Sequence, residues 1–445
     1  MKLSEIDATL RKIRVAPVKT LGQNFLHDRN LARWIVERAE LTPEDYVVEI
    51  GPGLGALTEF ILEAGAHVLA IEKDQRLAHF LRERFVSDRL EILHGDALDF
   101  DIRHLFTKPR VKLLGNLPYY VSSQLLLKFT KYPSPISLWL LMLQKELARR
   151  LSATPGTSDY GALTLVMQLR HRVDYLRTVP KTVFIPQPDV DSAFVRISKR
   201  APDELPNYNP ESVLDLIRRG FSQRRKQLRN LLREQFPDWD EASRAVGFDP
   251  KTRAEELGLE QWIALSNISG SDHPWTSNET AAERFAVVDD QDRLLGEATR
   301  GEVHGNNLLH RAVHIFVFNH SGELFLQKRS AWKDRHPCLW DSSAAGHVGA
   351  GETYETAASR EVEEELGVAM ALKAVTKLPA SEKTGQEFIW LYRAVHDGPF
   401  RLARSEIDHG EYFPTEIVSA WVQARQGDFA PGFLECWQAF REATG

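Results

Sequence analysis

The hydrophobic pattern of the first hundred residues predicts short buried strands, each closed by a glycine turn or a single carboxylate. The apolar runs are 46–50, which leads into Gly51-Pro52-Gly53-Leu54-Gly55, then 68–71, which leads into Glu72, and 90–95, which leads into Asp96. Glycines at such a turn let a backbone approach a nucleoside cofactor closely. The pattern therefore predicts an α/β sheet with a cofactor site at the strand ends.

Later in the chain the apolar residues take helical spacing. This spacing predicts helices over 211–236 and 240–246, and so a small helical subdomain after the sheet. The stretch 266–278 is polar, contains Gly and Pro, and lacks periodicity, which predicts a linker. A further helix is predicted over 353–366.

Length and composition limit the possible classes of protein. A chain of 445 residues exceeds one comfortable core, so two or three domains are expected. The sequence has no run of 18 apolar residues and begins with no apolar signal segment, so we expect a soluble, unexported protein. Only Cys338 and Cys436 occur, far apart and without metal-ligand spacing, which favours a reducing cytoplasm.

Charge differs between the two halves more than the net value of −6 indicates. Residues 1–268 contain 39 Lys and Arg against 35 Asp and Glu, a balance of +4, and the remainder contains 17 against 27, a balance of −10. Basic residues crowd together in the first half, and one such group is Arg224, Arg225, Lys226 and Arg229. A single group of this kind is more often a solvated helix face, but several groups together favour contact with an RNA backbone.

The segment Asn116-Leu117-Pro118-Tyr119 adds specific chemistry to the predicted cofactor site. An amino group on a base is a poor nucleophile because its lone pair is delocalised into the ring. The Asn116 side-chain oxygen and a main-chain carbonyl beside Pro118 can accept both N–H bonds and localise that pair, while Tyr119 can stack on the extruded base. Glycine turns also bind NAD, Glu72 suits ribose in either cofactor class, and Asp96 could simply cap a helix. Their ordered combination favours an amine methyltransferase.

From about residue 10 to 267 the chain resembles the small-subunit ribosomal RNA adenine dimethyltransferases, the KsgA family. The matching segments are 21–26, the glycine turn, Glu72, 95–97, 115–119, 142–146, 160–161, 184–192 and 221–226. The resemblance implies a Rossmann-like sheet with a small helical subdomain. It also implies S-adenosylmethionine as methyl donor, held by Asn24, Leu26, Gly51, Glu72, Asp96 and Asn116.

The acceptors implied by this resemblance are two adjacent adenines near the 3′ end of small-subunit RNA in immature ribosomal subunits. The catalytic residues are then Asn116, Leu117, Pro118 and Tyr119. A large-subunit adenine methyltransferase is the nearest alternative, although 221–230 favours the small-subunit enzyme. An assembly factor that mainly binds the immature subunit is an alternative from another class.

The second half fills every fixed position of the Nudix box and so resembles the Nudix superfamily. The fixed positions are Gly346, Glu352 and 360–368. On the predicted helix Glu361, Glu364 and Glu365 lie on one face, where like charges favour a divalent cation. Mg²⁺ or Mn²⁺ at these glutamates and at the Gly346 carbonyl would assist hydrolysis of a nucleoside or other organic diphosphate, with Glu365 as the catalytic residue.

The flanking sequence is similar to the Nudix branch that contains type 1 isopentenyl-diphosphate isomerases. Their catalytic cysteine would fall at Ala345, which favours hydrolysis over isomerisation. Catalytically silent nucleotide binding is a third interpretation. His304, His310 and His347 are candidates for a second metal, and ordinary surface or core histidines are an equal alternative.

Together these patterns predict four segments: a methyltransferase domain over 10–200, an RNA-binding helical subdomain over 201–267, a linker over 268–280, and an α/β/α Nudix sandwich over 281–445. The predicted location is the cytoplasm, without a membrane partner.

Overall fold

The chain forms two compact units, Met1–Gly270 and Ser271–Gly445, in a computed structural model. The structure describes residues 3–16, 23–131, 133–201, 204–223, 225–269, 283–331, 333 and 335–444. Within these ranges no helix is both long and apolar enough to cross a membrane.

The first unit is built around a mixed sheet. Its strands are β1 (Phe25–Leu26), β2 (Tyr46–Ile50), β3 (His67–Glu72), β4 (Leu90–His94), β5 (Val111–Asn116), β6 (Ile136–Gln144), β7 (His171–Val179), β8 (Phe184–Ile185) and β9 (Ser192–Lys199). The main sheet has the order β4-β3-β2-β5-β6-β9-β7, and β9 runs antiparallel to both of its neighbours while the other pairs are parallel. β1 pairs with β8 in a separate ribbon.

Helices cover both faces of this sheet. They are α1 (Leu3–Lys12), α2 (Arg29–Glu37), α3 (Thr58–Glu63), α4 (Gln75–Arg84), α5 (Ser122–Thr130), α6 (Lys145–Leu151) and α7 (Ala162–Gln168). Adjacent residues of β2 serve different faces: Val47 packs in the cluster that includes α2 and α3, and Val48 in the cluster that includes α5. A strand buried on both faces explains its continuous apolar run.

The helical subdomain comes next in the chain as α8 (Pro210–Gly220), α9 (Leu228–Leu231), α10 (Trp239–Val246) and α11 (Leu259–Ser269). The helical spacing predicted over 211–236 is interrupted, because α8 ends at Gly220, residues 221–223 and 225–227 are not helical, and α9 begins at Leu228. Gly220 lies so close to the buried Trp262 ring that a Cβ there would be 2.4 Å from it. The packing of α8 on α11 therefore requires glycine at the last residue of α8.

The predicted start of the linker also needs correction. α11 runs to Ser269, so the polar residues at 266–269 are helical. Buried Trp262, Ile263 and Leu265 hold this helix in the subdomain core, which outweighs its polar C-terminal composition. The remainder of the predicted linker, 270–280, lies outside the described residues.

The second unit contains a second mixed sheet. Its strands are β10 (Arg284–Val288), β11 (Leu294–Thr299), β12 (His310–Phe318), β13 (Leu324–Arg329), β14 (Trp340–Asp341), β15 (Ala344–His347), β16 (Lys373–Leu378), β17 (Glu387–Val395) and β18 (Ile407–Phe413). Its helices are α12 (Arg300–Gly305), α13 (Tyr354–Leu366), α14 (Thr415–Ala424) and α15 (Pro431–Thr444). β12 pairs in parallel with β17 along its whole length and antiparallel with β15.

Alternating residues of β12 again serve two faces. Ile315 packs in the cluster that contains α13, whereas the Phe316 ring lies 5.7 Å from Phe433 of α15. Helix α13 starts after the N-cap Thr353 and ends at Gly367 in a left-handed conformation, which confirms the helix predicted over 353–366. The central strand is thus covered by a helix on each side.

Candidate functional sites

The glycine turn after β2 needs glycine for both conformation and space. Gly51, Gly53 and Gly55 have φ of +65°, +59° and +79°, a region that other residues rarely adopt. A Cβ on Gly55 would also lie 2.4 Å from the Phe85 ring. The turn can therefore stay tight, and its backbone can approach a ligand closely at the end of β2.

Glu72 ties this turn to the end of β3. Its Oε2 accepts the Gly53 N–H at 3.1 Å, and its Oε1 accepts the Asp74 N–H at 2.9 Å. Burial raises the pKa of this carboxyl, while the two backbone bonds act in the opposite direction. Each carboxylate oxygen keeps a second lone pair for a ligand hydroxyl.

Asp96 comes shortly after β4 and is already oriented by two donors. Lys73 Nζ lies 2.6 Å from Oδ2, and the Leu98 N–H donates to Oδ1 at 2.9 Å. Burial opposes ionisation, but these bonds outweigh it and lower the pKa of Asp96. The carboxylate is thus held ionised as an acceptor at the strand end.

Asn116 ends β5 with its amide group oriented by a main-chain partner. Its Nδ2 donates to the Asn24 carbonyl oxygen at 3.0 Å. With the nitrogen used in this way, Oδ1 is the atom left to accept an N–H from a ligand. The Pro118 carbonyl already accepts the Val121 N–H at 3.1 Å. The main-chain acceptor beside Pro118 that we assign to a ligand N–H is therefore the Leu117 carbonyl.

One cleft brings these groups together, with about 1020 Å³ of space when its open part is counted. All the residues proposed to hold the cofactor line it, namely Asn24, Leu26, Gly51, Glu72, Asp96 and Asn116. Pro118 also lines the cleft, whereas Leu117 is buried in the core and the half-buried Tyr119 hydrogen-bonds through its hydroxyl to Ser192. The cleft is therefore lined both by the glycine turn and by Asn116 and Pro118 of the Asn116–Tyr119 segment.

Glu49 is a cleft residue that sequence reasoning did not select. It lies one residue before the end of β2, is 1% exposed, and accepts the Thr58 hydroxyl at 2.6 Å. Burial raises its pKa to about 7. Its position two residues before the glycine turn was the available signal, but an isolated glutamate within an apolar run does not reveal how deeply its side chain is buried.

The basic residues predicted to contact RNA lie in and near the turn before α9. Arg225, Lys226 and Arg229 are exposed, and Arg224 lies outside the described residues. Arg229 is 3.9 Å from Asp240 in an exposed pair, which leaves it available for exchange with a phosphate.

In the second unit, glycine is the residue type that fits at position 346 beside the glutamates of α13. A Cβ at Gly346 would lie 2.0 Å from the Glu361 carboxylate. Ala345 donates its N–H to Glu365 Oε2 at 3.1 Å, and Gln327 Nε2 donates to the same oxygen at 3.2 Å. The β15 backbone and the buried helix carboxylates are therefore in direct contact.

Arg360 organises the rest of the Nudix box. Its guanidinium contacts Glu352 at 2.9 and 3.0 Å, Glu361 at 2.8 Å, Glu364 at 2.9 Å, and the His347 carbonyl at 3.1 Å. Glu352 in turn accepts the Gly349 N–H at 2.8 Å. One arginine thus holds the start of the box against the acidic face of α13.

The acidic face fits a divalent cation because two of its carboxylates are buried together. Glu361 and Glu365 are 8% and 5% exposed, and Glu364 is exposed. Burial raises the pKa of Glu361 to about 7 although Arg360 acts in the opposite direction, and burial together with repulsion from Glu361 raises the pKa of Glu365 strongly. A bound cation would supply the opposite charge that these oxygens lack.

A second group of possible metal ligands differs from the predicted histidine set. His310, His347 and Glu387 place ligand atoms within 4.8 Å of one another. His310 Nδ1 lies 2.8 Å from the Leu308 carbonyl oxygen, and its buried Nε2 lies 3.5 Å from Glu387 Oε1. His304 is a neighbour whose Nδ1 accepts from Arg335 at 3.2 Å. Glu387, from β17, was not anticipated because it is distant in sequence.

Comparisons with known proteins match each half of the chain to a different family model. The chain matches the family model for ribosomal RNA adenine dimethylase over residues 17–270 and the model for the NUDIX domain over residues 308–433. The ribosomal RNA small subunit methyltransferase A of Geobacillus thermodenitrificans (strain NG80-2) is 39% identical over 262 residues, which are 56% of this chain and 89% of the relative.

Solved structures resemble each part of the chain separately. The 23S rRNA methyltransferase ErmE is 28% identical, covers 55% of this chain and 99% of its own, and has a TM-score of 0.48. A Deinococcus radiodurans protein, DR0079, is 28% identical, covers 37% of this chain and 100% of its own, and has a TM-score of 0.33. The matches to the two family models confirm both resemblances, and the predicted fold classes are confirmed as well.

The buried Glu49 carboxyl predicts a pH-dependent contribution to stability. Its folded pKa of about 7 lies above the unfolded value, so its contribution is complete at low pH and is lost as pH rises through about 7. Glu49→Gln keeps the acceptor for Thr58 and removes the ionisation. The variant should therefore gain stability relative to the wild-type chain as pH rises from about 4.5 to about 7, by up to about 1.4 kcal/mol per pH unit, and the gain should level off above pH 7.

Thermal unfolding of both full-length proteins across this pH range measures the difference. A difference in stability between variant and wild type that stays constant from pH 5 to pH 8 would contradict a raised pKa at Glu49.

Proposed function

The chain belongs to the ribosomal RNA adenine dimethylase family, and from this premise we propose that the first unit dimethylates the N6 amino groups of two adjacent adenines near the 3′ end of small-subunit ribosomal RNA. The observation that supports this most strongly is the cleft in which Asn116 joins Glu72 and Asp96. The group that would act on the methyl-accepting amine and the groups that would bind the methyl donor lie side by side there. Immature ribosomal subunits are the proposed form of the substrate.

The cleft residues fit S-adenosylmethionine as the donor. Glu72 would accept the ribose hydroxyls, and Asp96 would accept the adenine amino group. The glycine turn at Gly51 would let the backbone pass close to the ligand. When bound, the donor supplies an electrophilic methyl group on a sulfonium.

The chain's own part in the chemistry is to prepare the attacking amine. Asn116 Oδ1 and the Leu117 carbonyl would accept its two N–H bonds, which localises the nitrogen lone pair toward the methyl group. Tyr119 would stack on the base that has left its helix. These acceptors are fixed before substrate arrives, because Asn24 holds the amide group and Val121 holds the turn.

For the second unit we propose diphosphate hydrolysis that depends on Mg²⁺ or Mn²⁺. Glu361, Glu364, Glu365 and the Gly346 carbonyl would hold the cation, whose positive charge neutralises the diphosphate and activates water. Lys333, with only 17% of its side chain exposed, pairs with Glu406 beside Glu365. The Lys333 ammonium group offers a phosphate a further partner next to the proposed metal site.

The isomerase alternative lacks its catalytic group. At the position of the expected cysteine, Ala345 contributes its main-chain N–H, which is bonded to Glu365. Release of phosphate or a nucleotide from a panel of nucleoside and prenyl diphosphates would distinguish hydrolysis from isomerisation and from silent binding.

Asn116→Ala tests the methyl-transfer site. The change removes an acceptor whose bond strengthens toward the transition state, so the single-turnover rate on immature small subunits should fall by about 10²–10³-fold. S-adenosylmethionine affinity, measured by calorimetry on the same protein, is the control and should change much less. A wild-type methylation rate would refute the role given to Asn116.

Arg225→Ala combined with Lys226→Ala tests the RNA contacts. If both side chains neutralise phosphates, the double variant should bind the RNA more weakly, and the slope of log affinity against log salt should fall by roughly one to two. Lys373→Ala with Lys383→Ala removes the same charge from exposed sites on the second unit and serves as the matched control. An unchanged slope would return Arg225 and Lys226 to a solvated surface role.

Glu365→Gln tests the hydrolase. Removal of one buried anionic ligand should lower Mg²⁺-dependent hydrolysis by about 100-fold or more while methylation by the first unit is unchanged. Glu363→Gln is the matched control, because Glu363 lies on the same helix but is exposed. Conversion of isopentenyl diphosphate to its isomer, without hydrolysis of any diphosphate in the panel, would overturn the hydrolase assignment.

A further inference from the structure

Tyr119 is attached at both of its ends to buried serine hydroxyls. At the backbone end, Ser122 Oγ donates to the Tyr119 carbonyl at 3.1 Å, and Ser122 is 2% exposed. At the ring end, Tyr119 Oη and Ser192 Oγ are 2.5 Å apart, and Ser192 is fully buried. Either of these two hydroxyls can be the donor. The main chain and the ring hydroxyl of Tyr119 are thereby each held by a buried serine.

Ser192 is itself held at a junction of three strands. It begins β9, where it lies opposite Gln144 of β6 and Val179 of β7. The preceding residue, Asp191, accepts the Lys145 N–H through its carbonyl at 3.1 Å and the Lys181 N–H through its carboxylate at 3.2 Å. The hydroxyl that meets Tyr119 therefore has a rigid support.

The surroundings of Ser192 indicate why its hydroxyl needs this partner. The next residues of β9, Ala193, Phe194 and Val195, are apolar and at most 1% exposed. A hydroxyl in such a place is unfavourable unless it is hydrogen-bonded. Tyr119 supplies this hydrogen bond to Ser192 from a position 73 residues earlier in the chain.

We propose that Ser192 is a positioning residue for methyl transfer: its hydroxyl holds the Tyr119 ring in the orientation that stacks on the extruded adenine. This inference rests on the proposed function of the first unit. An aromatic ring ordered during folding needs no further ordering when the base arrives, and the target nitrogen is then presented at a fixed place beside Asn116. Without the hydroxyl, the ring can rotate and tilt away from that orientation.

Two single variants remove the same hydrogen bond from opposite sides. Ser192→Ala deletes the support, and Tyr119→Phe deletes the ring hydroxyl but keeps the aromatic face. Each should lower kcat for adenine methylation by about tenfold, with KM for RNA and donor affinity within about twofold of wild type. The double variant should be no slower than either single variant, because both remove one interaction.

A spectroscopic readout reports the stacking directly. With 2-aminopurine in place of the target adenine, the wild-type protein should quench the emission of the extruded base, and both single variants should quench it less. Ser198→Ala is the matched control, because Ser198 lies on the same strand but pairs with Leu138 and Arg172 at its other end. This control should leave both the rate and the quenching unchanged.

The outcomes separate this inference from the proposed function. If the wild-type chain does not methylate the RNA, the function itself is wrong. If it methylates normally and either single variant matches it in kcat and quenching, the role of Ser192 is wrong. Additive losses in the double variant would also overturn it, because they would mean that the two hydroxyls act independently.

Discussion

The parallel register of β2, β3 and β5 is the constraint on which the cleft of the first unit depends. Ile50 lies beside Ile71 on one side and Gly115 on the other. The residues directly after these positions, Gly51, Glu72 and Asn116, therefore emerge at the same edge. A shift of one residue in any pair would send these groups to opposite faces. Helices α2, α3 and α5 stabilise the register by burying the sheet on both faces.

In the second unit, carboxylates are buried although not every one of them has a neutralising side chain. Arg360 compensates part of the charge on Glu361 and Glu364, but Glu365 accepts hydrogen bonds from the neutral donors Ala345 and Gln327. Burial then raises the pKa of both Glu361 and Glu365. A divalent cation at this face, as proposed for the second unit, would supply the opposite charge that the buried carboxylates lack.

The two sites share one principle, since each uses polar groups that are oriented before any ligand arrives. In the first unit Asn24 orients Asn116, Lys73 orients Asp96, and Ser192 fixes Tyr119. Such groups need little rearrangement when a ligand binds. They therefore stabilise a transition state better than side chains that move freely in solvent would. The supporting residues are distant in sequence from the groups that they support.

Sequence motifs were sufficient to predict both family resemblances and, through them, both fold classes, and local periodicity predicted the strand at 46–50 and the helix over 353–366. These features are local, because apolar periodicity, glycine turns and caps act within a few residues. Three other features were settled by tertiary packing: the close approach of Gly220 to Trp262, the burial of Glu49, and the union of Glu387 with His310 and His347. In each case the physical reason is contact between segments far apart in the chain, which sets the solvent exposure and the hydrogen-bond partners of a side chain.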